Sequence, residues 1–384
     1  MSRSDGVRLA ELLRLWHGRY DPSSAESWDA VGLVCGDPDE DVSRVLFAVD
    51  PVDVVVDEAL SSGADLLVTH HPLFLAGVHG VAANDPKGRL VHRLVRGGCA
   101  LLTAHTNADV AAPGVSDALA GVLGVGELVP LQRNDAPPLD KVVVFVPPDD
   151  VEAVADAMAD AGAGQLGDYD RCSYLTDGEG RFRPLPGAMP AVGQVGQLTS
   201  VVERRLEMLV PRQRRVEVVR ALVAAHPYQE PAYDVIELAP RPASTGLGRV
   251  GRLPASTSLG EFAAVVAAAL PATAHGVRVA GDLHAMVNRV AVCGGAGDSL
   301  LDAADAAGAD VFVTSDLRHH RALEHLARGG CAIIDVAHWA GEWPWLPQAA
   351  ALLTQDLAAV GATVDIEVSR TPTDPWTQQL RSIR

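Results

Sequence analysis

The chain repeats itself, and that repetition limits its fold more than any other feature. Residues 58–71 read EALSSGADLLVTHH and residues 303–316 read AADAAGADVFVTSD. In both, an Ala-rich run of helical character stops at a Gly, and Ala-Asp then opens a short apolar stretch ending in Thr or Ser. A second phrase follows in the same order: RGGCALLTAH at 96–105 and RGGCAIIDVAH at 328–338. Two phrases in one order point to a duplicated unit. Each phrase reads as a helix, a Gly turn and a short strand buried on both faces, which implies a parallel or mixed α/β sheet. Thr69, His70, His71, His105, Ser315, Asp316 and His338 then fall at the carboxyl ends of strands, the edge where open α/β sheets bind ligands.

Between the repeats the grammar changes. Lys141–Val146 reads as a strand, 149–161 as a helix, and 169–197 as an irregular, hairpin-like stretch. Val201–Leu209 reads as helix-like before Pro211, 215–225 as a helix, and Tyr233–Leu238 as a strand. This order suits an inserted α+β module of ferredoxin-like type. The expected organisation is a first α/β lobe at 1–128, the insert at 129–245 and a second lobe at 246–384.

Composition narrows the function. Lys and Arg number 31 against 49 Asp and Glu, giving a net charge of −18, which argues against binding nucleic acid through its phosphates. Aromatic residues are only 4%, too few for extended base-stacking surfaces. Five scattered cysteines never occur as C-x-x-C, so neither a disulfide framework nor a cysteine zinc site is expected. Without a signal-type N-terminus or a long apolar run, the expected location is cytoplasmic, with no membrane partner.

The candidate chemistry lies at the strand ends. Adjacent strand residues face opposite ways, so His70 and His71 can share a metal only if the strand has ended; otherwise they serve two ions or are turn residues. Pro72 stops the strand at that point. Asp109 and His105 stand at the corresponding edge of the next strand. His338 and Glu342 are four apart and share a face if that segment is helical. Imidazole and carboxylate without thiolate are ligands for zinc, iron or manganese. Three imidazoles (His70, His71, His338) and two carboxylates (Asp109, Glu342) exceed one four-coordinate ion and suit two divalent metal ions. The remaining histidines, His325 and His275 among them, read as surface or turn residues, and His226 as structural. The GGAGD stretch at 294–298 is a weak phosphate-loop candidate, and the Arg-rich VPRQRR at 210–215 reads as a solvated face.

The phrases AESWDAVGL (25–33), VTHHPLF (68–74), AHTNADV (104–110), GLGRVG (246–251), DVFVTSD (310–316) and DVAHWAGE (335–342) resemble those of the NIF-three-like dinuclear-metal family, the GTP cyclohydrolase I type 2 homologues. So do GAGQLG (162–167) and AHPYQEPAYD (225–234) in the insert. The resemblance implies two similar α/β lobes around a two-metal site, a PII-like insert and a toroidal homohexamer. It puts the metal ligands on His70, His71, Asp109, His338 and Glu342. The chain departs from the family pattern at Ala30, Ser315 and Gly341, none of them a ligand.

The expected function is a metal-dependent hydrolase resembling GTP cyclohydrolase I type 2, in which metal-activated water attacks a purine nucleotide or similar small molecule. His105 is the first candidate proton carrier, with Asp316 and His320 behind it. The alternative is a toroidal metal-binding scaffold or interaction protein without turnover.

Overall fold

The structure, a computed structural model, describes residues 6–380. It is a mixed α/β protein with several sheets. Residues up to Asn134 together with those from Ser244 form one compact unit, and Asp135–Ala243 form another.

In the first unit, five strands lie in the order Asp365–Val368, Arg44–Ala48, Leu66–Thr69, Ala100–Thr103, Gly32–Cys35. The first four are parallel neighbours, and Gly32–Cys35 closes the edge antiparallel. A six-stranded sheet runs Val277–Ala280, Ala332–Val336, Val311–Ser315, Met286–Ala296, Pro242–Ser258, Gly126–Asp135. Each sheet carries one pair of echoed strands as parallel neighbours: Leu66–Thr69 beside Ala100–Thr103, and Val311–Ser315 beside Ala332–Val336.

Local chemistry explains the phrases. Helix Asp53–Ser62 ends at Gly63, which takes a left-handed φ of 73° and returns its N–H to the carbonyls of Ala59 and Leu60. A residue with a Cβ would be strained there. Gly308 repeats the device at φ 68°. Helix Pro86–Arg96 begins where Asp85 accepts the N–H groups of Lys87 and Gly88, with Pro in its first position. Leu66–Thr69 is buried along its whole length, as expected of a strand covered on both faces. A single apolar core joins residues of both sheets, including Phe47, Val68, Leu102, Val290, Val313 and Ile334. Within it Trp16, Tyr20 and Trp345 pack with ring centroids 4.6 to 6.2 Å apart.

The second unit is a four-stranded antiparallel sheet in the order Tyr233–Glu237, Leu139–Val146, Thr199–Pro211, Ser173–Phe182, with helices Val151–Asp160 and Arg215–Ala225. Val201–Leu209 is not helical as expected but belongs to strand Thr199–Pro211. The period-two burial of Leu206, Met208 and Val210 governs this run, and the charged cluster Glu203–Arg205 obscured it. The Arg-rich turn is not simply solvated: Arg212 and Arg215 grip the fully buried Asp140 at 3.1 and 2.7 Å.

Candidate metal centre

Strand Leu66–Thr69 ends one residue before His70, which frees the histidine pair from strand alternation. His70 and His71 still donate their N–H groups to the carbonyls of Ala48 and Val49 (3.2 and 2.9 Å), so the backbone is fixed as it leaves the sheet. Their rings stand side by side, centroids 5.1 Å apart.

Three imidazoles are each held at Nδ1 and turn Nε2 inward. His70 Nδ1 donates to the Ala104 carbonyl (2.9 Å), His71 Nδ1 to Asp50 Oδ1 (2.7 Å), and His338 Nδ1 to Asp316 Oδ2 (2.6 Å). Those oxygens only accept, so the proton of a neutral ring sits on Nδ1 and the Nε2 lone pair faces the centre. The segment carrying His338 is helical, His338–Glu342, and the four-residue spacing brings both side chains to one face.

Glu342, 3% exposed, lies between the three rings. Its Oε1 is 2.9 Å from His338 Nε2 and 3.5 Å from His70 Nε2, and its Oε2 is 3.0 Å from His71 Nε2. Asp109, on helix Thr106–Val110, puts Oδ1 3.8 Å from His70 Nε2. His70 Nε2 and Asp109 Oδ1 are buried without a hydrogen-bond partner. Buried polar atoms left this way are costly unless something else satisfies them. A divalent cation fits them, and these nitrogen and oxygen donors are of the type that binds one.

The charges make the same demand. Burial opposes the His71 cation, but the Glu342 carboxylate and Asp50 outweigh it and raise its pKa to about 10. Glu342, against the cost of burial and with help from Asp316, raises that of His338 to about 11. Burial pushes Asp109 up to about 6, only partly offset by His70. Burial also works against the Glu342 anion, yet His71, His338 and His70 hold it well below the usual carboxylate range. The pocket therefore recruits positive charge, as protons or as metal.

His105 stands beside the cluster, its ring centroid 5.3 Å from that of His70 and 5.5 Å from that of His71. Asp29 accepts from its Nδ1 (2.9 Å) and from the Thr106 N–H (3.0 Å). Burial, and then the charge of His70, lower the pKa of His105 despite Asp29, which favours a neutral ring. A cleft of about 440 Å³ opens here, lined by His71, His105, His338 and Asp316. The structure does not bring His320 into it. That residue lies exposed in the first turn of helix His319–Ala327, its ring against His319.

Residues 7–375 match the family described as Duf34/NIF3 (NGG1p interacting factor 3). The chain belongs to this family. A Mycobacterium tuberculosis relative named GTP cyclohydrolase 1 type 2 homolog is 52% identical over 371 residues, 96% of this chain and 97% of that one. A Bacillus subtilis relative of the same name is 36% identical, covering 97% and 98%. Among solved structures, a Bacillus cereus protein related to NIF3 superposes with a TM-score of 0.76 at 36% identity, covering 97% and 99%. Staphylococcus aureus protein SA1388 does so with a TM-score of 0.83 at 29% identity, covering 99% of each chain.

Several residues around the centre of this Duf34/NIF3 chain escaped the sequence reading. Asp29 and Asp50 grip two of the histidines, and nothing in their local sequence marks Asp50, which follows a strand like many surface aspartates. Gly294-Gly295 lies near the end of strand Met286–Ala296 and runs against the centre. Gly295, at φ 70°, lets the backbone pass the site, where a Cβ would lie 2.5 Å from Glu342 Oε1. His275 is no plain surface residue: it lines the cleft and faces Asp335 at 3.1 Å. His325 is fully buried, with Nε2 3.0 Å from the Cys331 carbonyl, because Gly330 leaves room for its ring. His226 is buried too, held by the Phe145 carbonyl (3.0 Å) and the Tyr228 N–H (3.1 Å).

Proposed function

We propose that this chain is a dinuclear divalent-metal hydrolase acting on a small molecule, with a purine nucleotide as the leading substrate class. The observation that carries the reading is Glu342, whose two oxygens face different histidines, Oε1 toward His70 and His338 and Oε2 toward His71. A carboxylate so disposed suits a bridge between two ions. His70, His71, Asp109, His338 and Glu342 would hold them. Bound there, two divalent ions would supply Lewis acidity at neutral pH.

The chain's own groups do the rest. Asp50 and Asp316 keep the rings of His71 and His338 from turning. His105, kept neutral by burial and oriented by Asp29, would take at Nε2 the proton that the attacking water loses and pass it to the leaving group. Asp316 accepts from His338, so its part is to orient that ring. The names of the curated relatives support a GTP cyclohydrolase-like reaction, which is a homology label for this chain. The family resemblance further supports two duplicated lobes, a PII-like insert at 129–245, a homohexamer and a cytoplasmic location. Among the described residues no helix is long and apolar enough to cross a membrane.

The test is elemental analysis of protein purified without chelator, beside His70→Ala and Glu342→Ala, followed by assay of purine nucleotides for ring opening. About two first-row metals per chain, reduced in both variants, together with turnover that His71→Ala abolishes, is the expected result. Metal content far below one per chain, not restored by added metal, would sink the dinuclear reading. Full metal without turnover on any hydrolysable substrate would leave the scaffold reading.

A further inference from the structure

We propose that the segment Ser369–Trp376 is a working part of the metal centre, in which Thr373 acts through Asp50 as a positioning residue for His71. The inference rests on the metal-centre reading above and goes beyond its ligand set. Strand Asp365–Val368 runs parallel to Arg44–Ala48, so the chain leaves it at the same sheet edge from which His70 and His71 emerge. The Ser369 N–H bonds to the Phe47 carbonyl (2.8 Å), and Trp343 Nε1 donates to the Ser369 carbonyl (3.0 Å). The hydroxyls of Ser369 and Thr371 both donate to Glu58 Oε2 (2.7 and 2.8 Å). Fixed at these points, the segment crosses the cleft, and Thr373, Asp374, Pro375 and Trp376 form part of its wall.

Thr373 Oγ1 donates to Asp50 Oδ2, while Asp50 Oδ1 accepts from His71 Nδ1 at 2.7 Å. Each Asp50 oxygen thus has its own partner, and the carboxylate cannot rotate about its terminal bond without breaking one of the two bonds. Ring orientation sets where the His71 Nε2 lone pair points, so a hydroxyl remote in sequence from every ligand controls one metal bond. Partners bonded directly to a ligand, as Asp50 is, typically change metal affinity by about 10- to 100-fold when removed, and Thr373, one bond further out, accounts for up to about 10-fold.

Thr373→Val keeps the side-chain shape and removes the donor, and Thr373→Ser restores the donor. Both variants and the wild-type full chain would be titrated with Co(II) against a competing chelator, with the visible d–d spectrum and the metal-free melting temperature recorded. The expected result is Co(II) affinity weaker by up to about 10-fold for Thr373→Val, a changed spectrum, an unchanged metal-free melting temperature, and recovery of both metal readouts in Thr373→Ser. Wild-type affinity and spectrum in Thr373→Val would overturn the inference alone, and so would equal losses in the Val and Ser variants. Failure of the wild-type chain to bind Co(II) would overturn the metal reading and this inference together.

Discussion

Around Glu342, ionisation and metal binding compete for the same atoms. With His71 raised to about 10 and His338 to about 11, both rings are cationic in the metal-free chain near neutral pH. A ligand ring must be neutral, and against its burial Glu342 raises His70 as well, so uptake of metal near pH 7.5 should release about two protons or more per chain. Calorimetry in buffers of different ionisation enthalpy measures that number, and release of none would contradict the assignment of His71 and His338 as ligands. The same shifts give the metal-free protein a pH-dependent stability. A raised folded-state pKa contributes fully below the ordinary histidine value of about 6.5 and is lost as pH rises through the folded value. The melting temperature in chelator should therefore fall as pH climbs toward 10 to 11, and the fall should shrink when metal holds the rings neutral.

Among the elements, what was legible depended on how local the determinant was. The echoed helix–Gly–strand phrases were legible because Gly63 and Gly308 end their helices within the phrase and the apolar runs that follow are continuous. The convergence of His338 and Glu342 was legible from their spacing alone. Strand Thr199–Pro211 was misread because its burial alternates only beyond the charged cluster. The carboxylates that grip the rings were not legible, since Asp50 and Asp29 meet His71 and His105 across 21 and 76 residues. Arg249 was invisible for the same reason. It is 1% exposed on strand Pro242–Ser258, yet reaches Asp117 at the start of helix Val115–Val122 (2.7 Å) and the carbonyls of Gly246 and Gly248 (2.7 and 2.8 Å). Arg249→Met should cost about 3–5 kcal/mol, because Asp117 and those carbonyls lose a buried partner. Urea unfolding would measure it, and a loss below about 1 kcal/mol would show the cluster to be redundant.

At the scale of the whole molecule, the two compact units predict independence of the first. The Ala136 N–H bonds to the Arg241 carbonyl at 2.7 Å, so the chain enters and leaves the second unit at neighbouring points. Joining Asn134 to Ser244 through a short Gly-Ser linker should leave a folded protein with its metal content intact, because every side chain around the candidate centre lies outside Asp135–Ala243. Circular dichroism and elemental analysis check this, and a folded product stripped of metal would tie the centre to the excised segment. The spread of the site along the chain also bears on biosynthesis. His71 and His338, 3.2 Å apart at Nε2, are separated by 267 residues, and Thr373 follows later still. During translation His70 and His71 are made long before Glu342, Thr373 and strand Asp365–Val368, which completes their sheet. A growing polypeptide therefore carries an incomplete set of donors until its C-terminal segment has been made.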